Sequence, residues 1–390
     1  MKISTIKGTY GFDVEFFTKN KVNIIEIKDP GSNAKVLLVP GYQGRVMTST
    51  TNGNEGASFG WINYSFIESG KQSSQFNPYG GEERLWLGPE GGPFSVYFKK
   101  DAEQVFPNWV VPKEIDTEAF DIVAQTTESV RFRKDFRLTN ASGTEMKIGI
   151  ERNVKILNRE KTENVLNLKM DDSISFVAYE SENTLINKGQ SAWTDKSGAL
   201  SVWMLAMFNP SANGVVFIPF KKGSETGLGK IVTDDYFGKV PFDRLIVSDG
   251  ILFFKTDGKF RSKIGISPKR ALPYCGSYDP DSHTLTILWY SPPEKPSVYV
   301  NSKWGPQSDP LNGDVVNSYN DGPVEDGSIM GPFYEIESSS PAALLSAGEK
   351  ITHIQRIFHI TGDESKLNDI ILKLFNLSVS DIKNAFKKEN

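Results

Sequence analysis

The chain has 390 residues, enough for one large all-β domain or two ordinary ones, so size does not limit the core it can bury. Its 44 Lys and Arg against 48 Asp and Glu leave a net charge of -4 with no long basic run to track a phosphate backbone, which argues against nucleic acid as a partner. A single cysteine, Cys275, excludes an intrachain disulfide and any multi-cysteine zinc site, and is expected as a small core residue.

Through about residue 360 the pattern is short β-type runs, such as 34–41 and 282–289, separated by Gly, Asn, Asp and Pro turns. Two segments read as hairpins: 132–157, turning at 139–143, and 177–208, turning at 186–189. No repeat of solenoid or propeller length and no Pro/Ser-rich linker interrupts them, so one continuous sandwich over residues 1–362 is preferred to two domains. The period then changes. From Asp363 onward Leu367, Ile370, Ile371 and Leu374 recur at helical spacing, and Ser378 with Asp381 fits a capping box opening a second short helix that ends near Phe386. This helical extension, 363–390, is expected to pack on the sandwich and to carry no chemistry. No apolar run approaches the ~20 residues of a membrane helix, and Met1-Lys2-Ile3-Ser4 lacks an apolar signal core. A soluble chain without a membrane partner is expected, although a form already trimmed of an export signal would look the same, so the compartment stays unknown.

Three stretches are dense in Gly, Asn, aromatic and acidic residues. In 77–92 the glycines permit tight turns or close approach of a ligand, while Arg84, Trp86 and Glu90 supply a hydrogen-bonding fork, a flat apolar face and an acceptor. A sugar is a ring of hydroxyls around weakly apolar C–H faces, so those are the groups its site needs. The bland alternative is a surface loop with Trp86 in the core and Arg84 paired to Glu82 or Glu83. The second stretch combines Trp304, near Tyr299 and Asn301, with Asn317 and Asn320, which repeat the same vocabulary, although Asn320-Asp321-Gly322 is also simply a good turn. Asp314, Asn317, Asn320 and Asp321 do not match the helical calcium loop, so neither a metal nor a cofactor is expected. The third stretch is Tyr334-Glu335-Ile336-Glu337. As a strand it puts Glu335 and Glu337 on one face, because side chains alternate sides; two inward acids need water, a cation or a polar ligand. The alternative has both acids in solvent and Tyr334 and Ile336 in the core.

Taken together, these segments resemble the galactose mutarotase-like (aldose 1-epimerase-like) superfamily. The ending Phe333 to Pro341, with Gly348-Glu349 before a last β segment, resembles its closing Glu-bearing strand, Pro, Pro-Gly-Glu turn and final strand. Leu185-Ile186-Asn187-Lys188-Gly189 resembles its Val-Thr-Asn-x-Gly hairpin, and Tyr79-Gly80-Gly81 followed by Arg84 and Trp86 resembles its His-Gly-Gly region. The resemblance implies a β-supersandwich with an open sugar cleft on one concave sheet, and it puts Glu337 at the catalytic base position. Both family histidines are missing: Tyr79 stands in the first place and Leu205-Ala206-Met207-Phe208-Asn209 in the second. The chain's own histidines, His283, His353 and His359, match no family acid and are expected to be structural.

The leading expectation is a monomeric carbohydrate-active protein binding a sugar or oligosaccharide through Arg84, Trp86, Glu90, Trp304, Asn317, Asn320 and Glu335. If it is an epimerase, Glu337 acts as base, with Tyr79 or a neighbouring acid as donor. A glycosidase or lyase using paired carboxylates, and a non-catalytic sugar-binding module, are the alternatives.

Overall fold

The computed structural model describes residues 6–324 and 326–387. A small antiparallel sheet opens the β structure, with β1 (Ile25–Lys28), β2 (Lys35–Val39) and β3 (Arg45–Thr50) in order. A five-stranded sheet contains β4 (Arg84–Gly88), β9 (Ser201–Phe208), β13 (Ser262–Ile266), β16 (Val316–Asn320) and β17 (Tyr334–Ser339), in the order β13-β16-β17-β9-β4. The remaining strands build a ten-stranded sheet. They are β5 (Asp121–Gln125), β6 (Ser129–Thr139), β7 (Glu145–Ile156), β8 (Ser175–Asn187), β10 (Val215–Pro219), β11 (Leu245–Val247), β12 (Ile251–Lys255), β14 (Tyr274–Asp279), β15 (Thr284–Tyr290) and β18 (Lys350–Thr361). Their order is β11-β12-β10-β14-β15-β18-β8-β7-β6-β5. This is the expected all-β, mutarotase-like supersandwich, with a third, small sheet added to the two main ones.

Alternation along each strand of the large sheet feeds two apolar layers. In β18, Ile357 faces the five-stranded sheet while Phe358 and Ile360 face the opposite way; in β8, Val177 and Tyr179 divide from Phe176 and Ala178 in the same manner. The outer layer is closed by helices Arg159–Leu166, Glu364–Phe375 and Val379–Asn384, whose Leu166, Leu367, Ile371 and Ile382 are buried there. The C-terminal helices fall where their period placed them. Ser378 and Asp381 form the reciprocal capping box. Cys275 is fully buried in β14.

Two expectations are corrected. The segment 132–157 is a hairpin, β6 with β7, but 177–208 is not. Its two strands belong to different sheets, because β8 pairs with β7 and β18 while β9 pairs with β4 and β17. Asn187, in the supposed turn, instead donates to the carbonyls of Ser191 and Leu345 at 2.9 and 3.0 Å and fixes a crossing from one sheet to the other. The early chain is also not purely β. Tyr10–Lys19 is a helix that its aromatic and β-branched composition conceals. Thr9 caps it, and Tyr10, Asp13 and Phe17 are buried at helical spacing.

Candidate functional site

Strand alternation divides β17 between two environments. Tyr334, Ile336 and Ser338 point into the sandwich, where the Ser338 hydroxyl meets His353 and Gln355 at 2.7 Å each. Glu335 and Glu337 point the other way. Register places Asn317, Glu337, Leu205 and Arg84 side by side across β16, β17, β9 and β4, with Tyr319, Glu335 and Met207 in the neighbouring row. That outer face is not open solvent: Glu335 is 5% and Glu337 1% exposed. The solvent-facing alternative is therefore wrong for both acids, and Arg84 pairs with neither Glu82 nor Glu83.

The acids are held by cations brought from distant parts of the chain. Arg84 Nη2 donates to Glu335 Oε1 at 3.0 Å while its guanidinium lies 4.3 Å from the Trp86 ring. Lys263 Nζ, on β13, and Trp203 Nε1, on β9, both donate to Glu337 Oε2, at 2.9 and 2.8 Å. The consequence is an asymmetric carboxylate: one Glu337 oxygen is doubly bound, and Oε1 is buried without a hydrogen-bond partner among the described residues. Arg84 Nε and Nη1 and Trp86 Nε1 are likewise buried and unpartnered. Buried polar groups are normally satisfied, and four that are not lie together on this sheet face.

The electrostatics follow from burial and mutual proximity. Burial pushes the Glu335 carboxyl up to about 7, with Arg84 pulling it down and Glu337 adding to the rise. Burial also raises Glu90, against the pull of Lys263 and with a further push from Glu337, and Trp304 hydrogen-bonds to Glu90. For Lys263, burial alone would lower the pKa, but Glu337 and Glu90 outweigh it and keep the ammonium charged. Three carboxyls thus share two cations.

Of the residues singled out in the sequence, Arg84, Trp86, Glu90, Glu335 and Glu337 come together, and Trp304 joins them through Glu90. Asn317 flanks the group and donates to the Tyr236 hydroxyl at 3.2 Å and the Ile264 carbonyl at 3.1 Å. Asn320 does not belong to this face. Its odd offset from Asn317 turns it inward, where its side chain accepts from Gly258 and donates to the carbonyls of Phe260 and Asp321. Tyr79 packs in a separate aromatic cluster, stacked on Tyr42 at 3.9 Å and edge-on to Phe66, away from Glu335 and Glu337. Lys263, Trp203 and Tyr236 were not singled out at all. Only the lateral strand order brings Lys263 and Trp203 beside Glu337, and Tyr236 comes from a loop outside the strands. No group of three or more His, Cys, Asp or Glu among the described residues is arranged to hold a metal ion.

The fold is shared by solved structures of the galactose mutarotase-like, aldose 1-epimerase-like kind. The Slr1438 protein from Synechocystis sp. PCC 6803 is 12% identical, with a TM-score of 0.51 over 88% of this chain and 96% of that one. A candidate aldose 1-epimerase from Escherichia coli K12 is 10% identical, with a TM-score of 0.50 over 88% of this chain and 100% of that one. At these identities the likeness is one of fold. The chain itself belongs to a family of unknown function, DUF6786, whose sequence model matches residues 8–386. No curated protein matches it. No helix among the described residues is long and apolar enough to cross a membrane.

Proposed function

We propose that the outer face of the five-stranded sheet is a carbohydrate site in which Glu337 accepts a proton from a sugar hydroxyl. The supporting observation is the free Glu337 Oε1: Lys263 and Trp203 both bind the other oxygen, so the carboxylate is oriented while one oxygen has no partner among the described residues. Arg84 Nε and Nη1, also without partners, are donors for the hydroxyls of the same ring, and Trp86 and Trp203 offer aromatic surface for its C–H faces. In an epimerase-like reaction the anomeric hydroxyl passes its proton to Glu337 Oε1, the bond from the anomeric carbon to the ring oxygen breaks, and the ring oxygen takes a proton. Glu335, pushed up to about 7, carries that proton in part at neutral pH and is the neighbouring acid that could deliver it.

A second reading, a binding module without turnover, draws on a separate observation: none of the three histidines lies on this face. His353 and His359 bond inside the sandwich to Ser338 and to Thr286 and Glu82, and His283 occupies a turn. A thermal-shift panel of mono- and oligosaccharides tests binding, and polarimetry of freshly dissolved glucose and galactose tests turnover. The proposal expects stabilisation by some sugars, lost in Glu337→Gln, with weak or absent catalysis on glucose and galactose. A panel in which no sugar stabilises the protein would reject it. Rapid equilibration that survives Glu337→Gln would remove the assigned base.

A further inference from the structure

Across the sheet from Glu337, beyond Arg84, the outer face continues onto β3. The Val46–Glu83 bridge joins β3 to the start of β4, so Arg45 lies beside Arg84, on the side opposite the inward-pointing Glu83. From Glu337 to Arg45 the face crosses three strand spacings, roughly 14 Å at about 4.8 Å each, which is longer than one pyranose ring.

Arg45 is one of three arginines that are almost wholly enclosed, and it differs from the other two. Arg152 is neutralised by Glu83 at 2.7 Å, and Arg270 is wrapped by four bonds to the carbonyls of Lys221, Gly223 and Gly229. Arg45 donates only to the Gly80 carbonyl at 2.7 Å and to Gln43 Oε1 at 3.3 Å, forms no ion pair among the described residues, and leaves Nε without a partner. Asp116 faces it electrostatically without touching it. The Oδ2 atom of Asp116 accepts from Asn77, backbone and side chain, while Oδ1 is buried and unpartnered. Trp86 Nε1 adds another unpartnered donor. Gly81 leaves Arg45 its place: φ is +114°, and a Cβ there would stand 2.6 Å from Arg45 Cδ.

We infer that Arg45 and Asp116, next to Arg84 and Trp86 at the boundary of the first site, form a second sugar subsite, so that the ligand is an oligosaccharide of at least two units spanning from Glu337 to Arg45. The inference rests on the carbohydrate reading of the Glu337 face. A hydroxyl donates and accepts at once, so one sugar hydroxyl can answer Asp116 Oδ1 and a guanidinium N–H together. A phosphate or carboxylate suits the patch less well, because Arg84 is already paired with Glu335 and Asp116 would repel an anion next to Arg45. Half-buried Phe76, edge-on to Trp86 at 5.6 Å, and the Tyr42–Tyr79 stack supply flat surface around it.

Isothermal titration of glucose and galactose against maltose, cellobiose, lactose and their trisaccharides decides the matter. The expected result is at least tenfold tighter binding of one disaccharide than of its monosaccharide. Asp116→Asn, an isosteric change, and Arg45→Met should both bring that ratio close to one, whereas Glu337→Gln should weaken both ligands together. Equal affinities for mono- and disaccharide, or a ratio unchanged by Asp116→Asn, would overturn the second subsite while leaving the first intact. Preference for a sugar phosphate or uronate over every neutral disaccharide, lost in Arg45→Met, would also overturn it by making the patch an anion pocket. Failure of every sugar to bind would reject the carbohydrate reading itself.

Discussion

Glu83 and Arg84 are adjacent in sequence and sit in two buried polar regions on opposite faces of one sheet. Inside the sandwich, Glu83 pairs with Arg152 at 2.7 Å and accepts from Ser181 and Gln355 on its other oxygen at 2.9 Å each, while Arg152 also donates to Asn183 and to the Gly44 carbonyl. Every nitrogen and oxygen of that pair is used. On the outer face the Arg84–Glu335 pair is about as short, 3.0 Å, yet two Arg84 nitrogens and one Glu337 oxygen lack partners. The same residue types at similar burial therefore differ: a completed network fixes how the two sheets pack, and the incomplete one is where we propose that a ligand binds.

The largest effect expected from breaking this comparison is on the inner side. Arg152→Met strands Glu83 in the core and should lower stability by roughly 3–5 kcal/mol, read from urea unfolding, or prevent folding. A loss below about 1 kcal/mol would show that the network is not structural. On the outer side, Glu337→Gln leaves buried Lys263 with Glu90 as a remaining nearby acid, so it should lower stability by less than Arg152→Met does, while sugar affinity falls by the roughly 1.5–3 kcal/mol of a charged hydrogen bond, or turnover falls further still if Glu337 is a base.

Asp13, a buried acid apart from both regions, adds a contrast in pH. Among the described residues Asp13 has no cation partner and accepts from the Ser58 and Tyr64 hydroxyls; burial pushes it up to about 6 from 3.8, against those hydrogen bonds. The folded state therefore keeps a proton that the unfolded chain has lost, so this group's destabilisation grows as pH rises from about 4 to about 6 and is complete above that. Asp13→Asn should remove on the order of 2 kcal/mol of the stability lost over that interval, measured by urea titrations at pH 4 and pH 7. Equal pH dependence in the two proteins would contradict the assignment. The smallest effect is expected at Asn320, where Asn320→Ala should cost about 1–2 kcal/mol of stability through lost loop contacts and leave sugar binding unchanged. Weakened binding at constant stability would return Asn320 to the site.

What was legible in the sequence was local. Alternation put Glu335 and Glu337 on one face, and the capping residues placed the last helix, because both signals lie within a few positions of each other. What depended on lateral order was not legible. Lys263 and Trp203 reach Glu337 only because β13 and β9 lie in its sheet, and nothing near either residue announces this. The supposed 177–208 hairpin failed for the same reason: its turn chemistry is real, but Asn187 bonds to a distant carbonyl and sends the chain to the other sheet. Asn320 was misjudged because an amide in a turn-like Asn-Asp-Gly run can serve loop anchoring as readily as binding, and one residue of offset decides which.

Under the proposed function the incomplete outer cluster, with Glu337 Oε1 at its centre, receives a sugar. A crystal structure of the protein with the tightest-binding sugar from the thermal-shift panel tests it most directly. A sugar oxygen is expected within hydrogen-bond distance of Glu337 Oε1 and another within reach of Arg84 Nη1. A sugar bound elsewhere, with both of those atoms still without a sugar contact, would contradict it.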